Sequence, residues 1–171
     1  MLSTILVEHP WLTTVTLAAL VVLGPFVGAW LVDRRRTTGV LLGLALVVLT
    51  ALTLVPTSRD LERGCFVEWS VPTLGAVELV ANVILFVPVV LLLGVLLRRP
   101  VVALLGASGA SLLIEAVQAV VPALGRSCST NDWVSNTIGA ALGALLALVA
   151  LKLHHRFSGD RGPELVSADA S

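Results

Sequence analysis

Five stretches of the chain are nearly free of charge: residues 11–32, 38–55, 79–97, 101–121 and 133–153. A helix needs about 20 mostly apolar residues to cross a bilayer's hydrocarbon core, so each stretch predicts a spanning helix. Polar positions come in short bursts between them, and apolar–polar alternation never persists as the strands of a membrane β-barrel require. The expected fold is an all-α integral membrane protein. One bundle of about five transmembrane helices occupies residues 1–153, and 154–171 form a flexible cytoplasmic tail. MLSTILVEHP precedes the first stretch without a basic residue, and the apolar run is longer than a cleaved signal's core. The first stretch therefore reads as a permanent helix.

Composition narrows the solvent. The 171 residues are 57% hydrophobic and only 13% charged, with a mean hydropathy of +0.98. An ordinary globular domain carries about 25% charged residues. The chain lacks the polar surface of a soluble monomer, the polarity of a disordered one and the basic excess of a nucleic-acid binder. The lipid bilayer is its expected partner, and no cofactor or metal motif stands out.

The net charge is +0, yet its distribution is informative. Arg34 to Arg36, Arg98, Arg99, Lys152, Arg156 and Arg161 fall on one side of a five-span bundle. Arg59, Arg63 and Arg126 fall on the other. Basic residues in short loops favour the cytoplasm, which predicts the N-terminus outside and the C-terminus inside. Trp11, Trp69 and Trp133 then lie at the outer interface and Trp30 at the inner one, as an aromatic belt requires.

The outer loops, 56–77 and 122–131, hold one cysteine each, Cys65 and Cys128. In an oxidising compartment this predicts a disulfide, with two unpaired thiols as the alternative. Gly24/Gly28, Gly39/Gly43 and Gly139/Gly143 are small-residue pairs at helical spacing, and Gly106 and Gly109 lie in a similar run. Such residues let helix backbones approach in lipid. Pro25 and Pro88 are expected to kink their helices.

The candidate site lies in the remaining polar residues of the spans. Glu78 and Asn82 share a face of helix three, Ser111, Glu115 and Gln118 a stripe of helix four, and Asp132 and Asn136 a face of helix five. At ~1.5 Å per residue, Asn82 and Asn136 lie ~6 Å deeper than their acids and Glu115 ~9 Å deep. The prediction is a polar pocket opening outward between helices three, four and five. An intramembrane acid is costly and a functional candidate by default, and Arg126 is the expected partner of Glu115, Asp132 or both. Each residue has a plainer role too: Asp132 as a helix cap, Glu78 as an interfacial acid, and the amides as interhelical hydrogen bonds.

At these residues the sequence resembles the VanZ-like membrane proteins. NVILFVP contains Asn82, Phe86 and Pro88. SLLIEAVQ contains Ser111, Glu115 and Gln118. GRSCSTNDWVSNTIGAALG contains Gly125, Arg126, Asp132, Asn136, Gly139 and Gly143. The resemblance runs from about 78 to 151. It departs where Val90 replaces a glycine and where Cys128, Ser129 and Thr130 replace acidic residues. It implies a multi-pass protein of the bacterial plasma membrane, in a family named after a member that lowers susceptibility to teicoplanin.

Four functions are open at this point. A binding or protective protein would engage a lipid-linked cell-wall component, an envelope lipid or a lipoglycopeptide in the outer pocket. An intramembrane enzyme would use Glu78, Glu115 and Asp132 for acid–base work or for holding Mg²⁺ or Ca²⁺. His9, His154 and His155 all stand at helix ends, so the pocket has no histidine base. A small transporter lacks polarity in the inner half and a visible inverted repeat. A structural protein would use the polar set only to lock helices.

Overall fold

A computed structural model describes residues 9, 11–56, 65–67, 76–125 and 128–159. Five helices account for most of them: α1 (Trp11–Leu31), α2 (Arg35–Leu54), α3 (Val77–Leu97), α4 (Pro100–Val120) and α5 (Thr130–Gly159). All five are long and apolar enough to cross a membrane. Lipid offers no partner to a backbone amide, so each span satisfies its own hydrogen bonds as a helix. α1 and α3 continue through Pro25 and Pro88. The helices stop where the sequence stops being apolar or meets proline. Val55, before Pro56, is extended, and Pro100 opens α4 at a position where its missing N–H costs nothing.

Arg98 ends α3 in the left-handed conformation, with φ 53° and ψ 27°. It is the only non-glycine residue with positive φ among those described. That conformation costs a residue with a Cβ about 1–2 kcal/mol. The Arg98 guanidinium lies 3.8 Å from Asp33, with both side chains more than half exposed. Exposed pairs of this kind contribute about 0–1 kcal/mol.

α3 sits at the centre, and its most extensive interface is with α5. The two run in the same direction, and glycine sets their spacing. A Cβ on Gly139 would collide with the Val83 carbonyl, and one on Gly143 would stand 2.6 Å from the Val87 carbonyl oxygen. α1 lies in the groove beside both, with Gly28 against Ala150, Leu91 and Val95. α4 completes the other side. α2 is held mainly by α3 and buries only Thr38, Leu42 and Leu49. The exposed Val and Leu side chains on α1, α2, α4 and α5 face lipid.

The small-residue pairs thus differ in fate. Gly24, Gly28, Gly139 and Gly143 are packing positions, but nothing lies within 4 Å of a Cβ built on Gly39, Gly43, Gly106 or Gly109. The expected close approach at those four is absent, because their helix faces turn away from the bundle.

Each end of the bundle has its own closure. At one end, called here the cystine end, Cys65 and Cys128 form a disulfide. They lie in a pair of two-residue parallel strands, β1 (Cys65–Phe66) and β2 (Cys128–Ser129), an element that the sequence pattern did not announce. At the opposite, basic end, the buried Thr38 hydroxyl is shared between the Leu31 and Arg34 carbonyls and fastens the turn from α1 to α2. α5 is the outlier in length. Its 30 residues give ~45 Å of helix at ~1.5 Å per residue, against ~30 Å of hydrocarbon. It runs through Gly159, past the predicted end of its span at Leu153.

The glycine contrast is testable by thermal melting in detergent. Gly139→Ala places a methyl against a backbone atom, and overpacking costs about 1–3 kcal/mol; its melting temperature is expected to fall. Gly43→Ala meets open space and removes a helix-interior glycine, so its melting temperature is expected to hold or rise. Equal effects at the two positions would contradict this packing.

Candidate functional site

The polar side chains of α3, α4 and α5 gather at the cystine end. Asp132 stands in the first turn of α5 and accepts a 2.8 Å hydrogen bond from Asn82 Nδ2. One turn further, buried Asn136 donates through Nδ2 to Ser111 Oγ on α4 at 2.9 Å. Below it, Ser108 and Thr137 join α4 to α5, hydroxyl to hydroxyl, at 2.9 Å. Glu115 is 5% exposed and accepts from the Ser129 backbone N–H at 2.9 Å. The Ser129 amide that meets Glu115 is three residues from Asp132, so both carboxyl groups stand by the start of α5.

Ser129 has a double role that explains the local fold. Its hydroxyl accepts from the Asn131 amide at 3.2 Å, which is how a serine caps a helix start. Its own amide meets Glu115. The residue next to the disulfide therefore both starts α5 and holds the intramembrane acid. Asp132, the residue expected as a cap, stands in the first turn of that helix, three positions after Ser129.

Gln118 departs from the expected pocket. Its amide donates to the Thr53 carbonyl of α2 at 2.9 Å. Thr53 is among the last residues of α2, whose final carbonyls have no intrahelical partner. Gln118 is thus a tie to α2, a helix that the sequence reading left out of the site. Glu78 also departs: it is exposed, and no hydrogen bond or ion pair joins it to this network among the described residues. Arg126, the expected cation partner, lies outside the described residues. So does Trp69 of the expected aromatic belt.

Three buried polar atoms at this end have no hydrogen-bond partner among the described residues: Trp133 Nε1, Ser135 Oγ and Asn136 Oδ1. Ser135 is 0% and Asn136 4% exposed. A buried polar group left unsatisfied costs about 1–3 kcal/mol. Sequence reasoning named Asn136 but missed Trp133 and Ser135 as site residues, and it missed Ser108 and Thr137. The available signal was position: they flank Asn136 or lie three residues before Ser111. No group of three His, Cys, Asp or Glu side chains that could hold a metal occurs among the described residues.

Five apolar helices around a network of amides, hydroxyls and two carboxyls at one end define a multi-pass membrane protein with a polar end site. The chain belongs to the VanZ-like family: the family model described as VanZ/LLP1 matches residues 11–151. The match takes in α1 and α2 as well as the 78–151 block on which the resemblance rested. No curated protein and no solved structure was found to match the chain.

Two measurements check this geometry. Peptide mapping without reductant is expected to yield a peptide pair cross-linked through Cys65 and Cys128; free thiols at both positions would contradict it. A double-mutant cycle of Asn82→Ala and Asp132→Ala is expected to show favourable coupling of about 0.6 kcal/mol, up to about 1.7, the range for interhelical hydrogen bonds in membranes. Strict additivity of the two variants would contradict the Asn82–Asp132 bond.

Proposed function

We propose that this protein is a binding or protective component of the bacterial cell envelope. In this reading it resides in the plasma membrane, with the cystine end outside and the basic end in the cytoplasm. The cystine-end site engages a lipid-linked cell-wall component, an envelope lipid or a lipoglycopeptide, and so affects teicoplanin susceptibility. The excess of arginine at one end supports the orientation. The family supports the context, through a name that carries teicoplanin resistance.

The observation that carries the reading is the trio of unpaired buried atoms. Trp133 Nε1 is a donor, Asn136 Oδ1 an acceptor and Ser135 Oγ either. Such atoms suit a ligand with amide or hydroxyl groups, as peptides and sugars of the cell wall have. A structural lock pairs most of its buried polar groups, and here three are left at one end.

A second reading, an intramembrane enzyme on a lipid-linked envelope substrate, is favoured by two carboxyl groups, Glu115 and Asp132, standing by the start of α5. Paired carboxyls are the usual equipment for acid–base chemistry.

Complementation of a deletion strain separates these readings. Deletion is expected to raise teicoplanin susceptibility, and the wild-type gene to restore it. Asn136→Ala is expected to fail at equal expression, because it removes both the Ser111 bond and the open acceptor. Glu115→Gln keeps an acceptor for the Ser129 amide. It is expected to complement if the site binds and to fail if Glu115 is a proton carrier. Unchanged susceptibility and unchanged cell-wall precursors on deletion would reject the envelope reading. A C-terminal green fluorescent protein fusion is expected to fluoresce, and a dark but fully expressed fusion would reverse the orientation.

A further inference from the structure

The basic end carries a charged surface that the cystine-end site does not use. The α1–α2 turn, the α3–α4 turn and the end of α5 converge there: Asp33 lies 3.8 Å from Arg98 and 3.5 Å from His154 Nε2. Asp33 is the sole acid at this end among the described residues. The helix ends and turns that meet there also carry Arg34 to Arg36, Arg99, Lys152 and Arg156. Beyond Gly159 the sequence adds Asp160, Arg161, Glu164 and Asp169, and the sum over all of these residues is still positive.

Three further observations give this surface a definite ligand. First, Arg98 occupies a left-handed position that glycine would hold without strain. Its long, exposed contact with Asp33 does not account for an arginine there, and backbone strain of this kind gathers where a side chain has a task. Second, the Arg34 guanidinium stacks 3.8 Å over the exposed Trp30 ring and donates to the Trp30 carbonyl at 2.9 Å. An exposed indole at a span's end marks the headgroup layer, so this guanidinium stands at phosphate height. Third, α5 carries exposed Lys152 and Arg156 two residues either side of His154, which itself meets Asp33.

We infer that the basic end binds the headgroup phosphate of an anionic phospholipid in the leaflet it faces. Arg98 grips the phosphate through its guanidinium fork, whose planar donors match phosphate oxygens. The phosphate takes the side of the guanidinium that the weak Asp33 contact leaves accessible. Arg34, Lys152 and Arg156 supply the surrounding field. This inference stands apart from the cystine-end reading and needs no assumption about which end is cytoplasmic.

The test uses the purified full chain in detergent, offered equal phosphatidylglycerol and phosphatidylcholine and read by native mass spectrometry. Wild-type protein is expected to retain phosphatidylglycerol selectively. Arg98→Gly removes the fork and relieves the backbone, so its melting temperature without lipid is expected to hold or rise. Its phosphatidylglycerol retention is expected to fall about fivefold, the loss of one basic contact at a membrane surface. Arg98→Asn, which also tolerates the left-handed region, is the companion variant and is expected to behave alike. Millimolar inorganic phosphate is expected to leave the bound lipid in place. Equal retention of the two lipids, undiminished retention by the folded variants, or displacement by inorganic phosphate would each overturn the inference.

Discussion

The approach of α5 to α3 is the contact on which the other features depend. Gly139 and Gly143 set the α5 backbone against the Val83 and Val87 carbonyls. Lipid provides no hydrophobic drive to pull helices together, so association rests on close van der Waals contact and on polar bonds between helices. With the α5 axis fixed against α3, Asp132 comes within reach of Asn82 and Asn136 turns toward Ser111 on α4. The glycine pair and the polar network are therefore one arrangement. The first supplies distance, and the second supplies rotation and register, because hydrogen bonds have direction and dispersion does not.

The polar end is also joined sideways. β2 reaches from the disulfide to the start of α5, and Ser129 divides its groups between Asn131 and Glu115. Gln118, one turn from Glu115, holds the last turn of α2. Every helix from α2 to α5 thus contributes a polar group to one end of the bundle, while the hydrophobic core beyond is mainly Leu, Val and Ala around Phe86. A cluster so connected keeps its shape without a ligand, apart from the atoms on Trp133, Ser135 and Asn136 that point to no partner.

Much of the fold was legible because lipid is an unforgiving solvent. An uncharged run of about 20 residues has few alternatives to a spanning helix, and the pairing of Cys65 with Cys128 followed from loop placement. What stayed hidden was rotation. Spacing puts Glu78 on the same face as Asn82, but the helix start stands where that face opens to the surroundings, and Glu78 ends exposed. Gly39 and Gly43 have the same spacing as Gly139 and Gly143, yet only the latter meet a neighbour. Nothing local distinguishes them, because the difference lies in which helix stands opposite. Gln118 was read with Ser111 and Glu115 because a stripe is visible in sequence, whereas its partner is a backbone carbonyl of α2.

The disulfide has a further meaning for biogenesis. Cys65 precedes α3 and Cys128 follows α4, so the bond closes a covalent ring that contains that whole hairpin. It can form only after both flanking loops have reached the same face of the membrane. Once closed, the ring forbids either helix from inverting independently, since polar chain and the cystine would have to be dragged through hydrocarbon. The bond is a lasting mark that insertion ended in one topology.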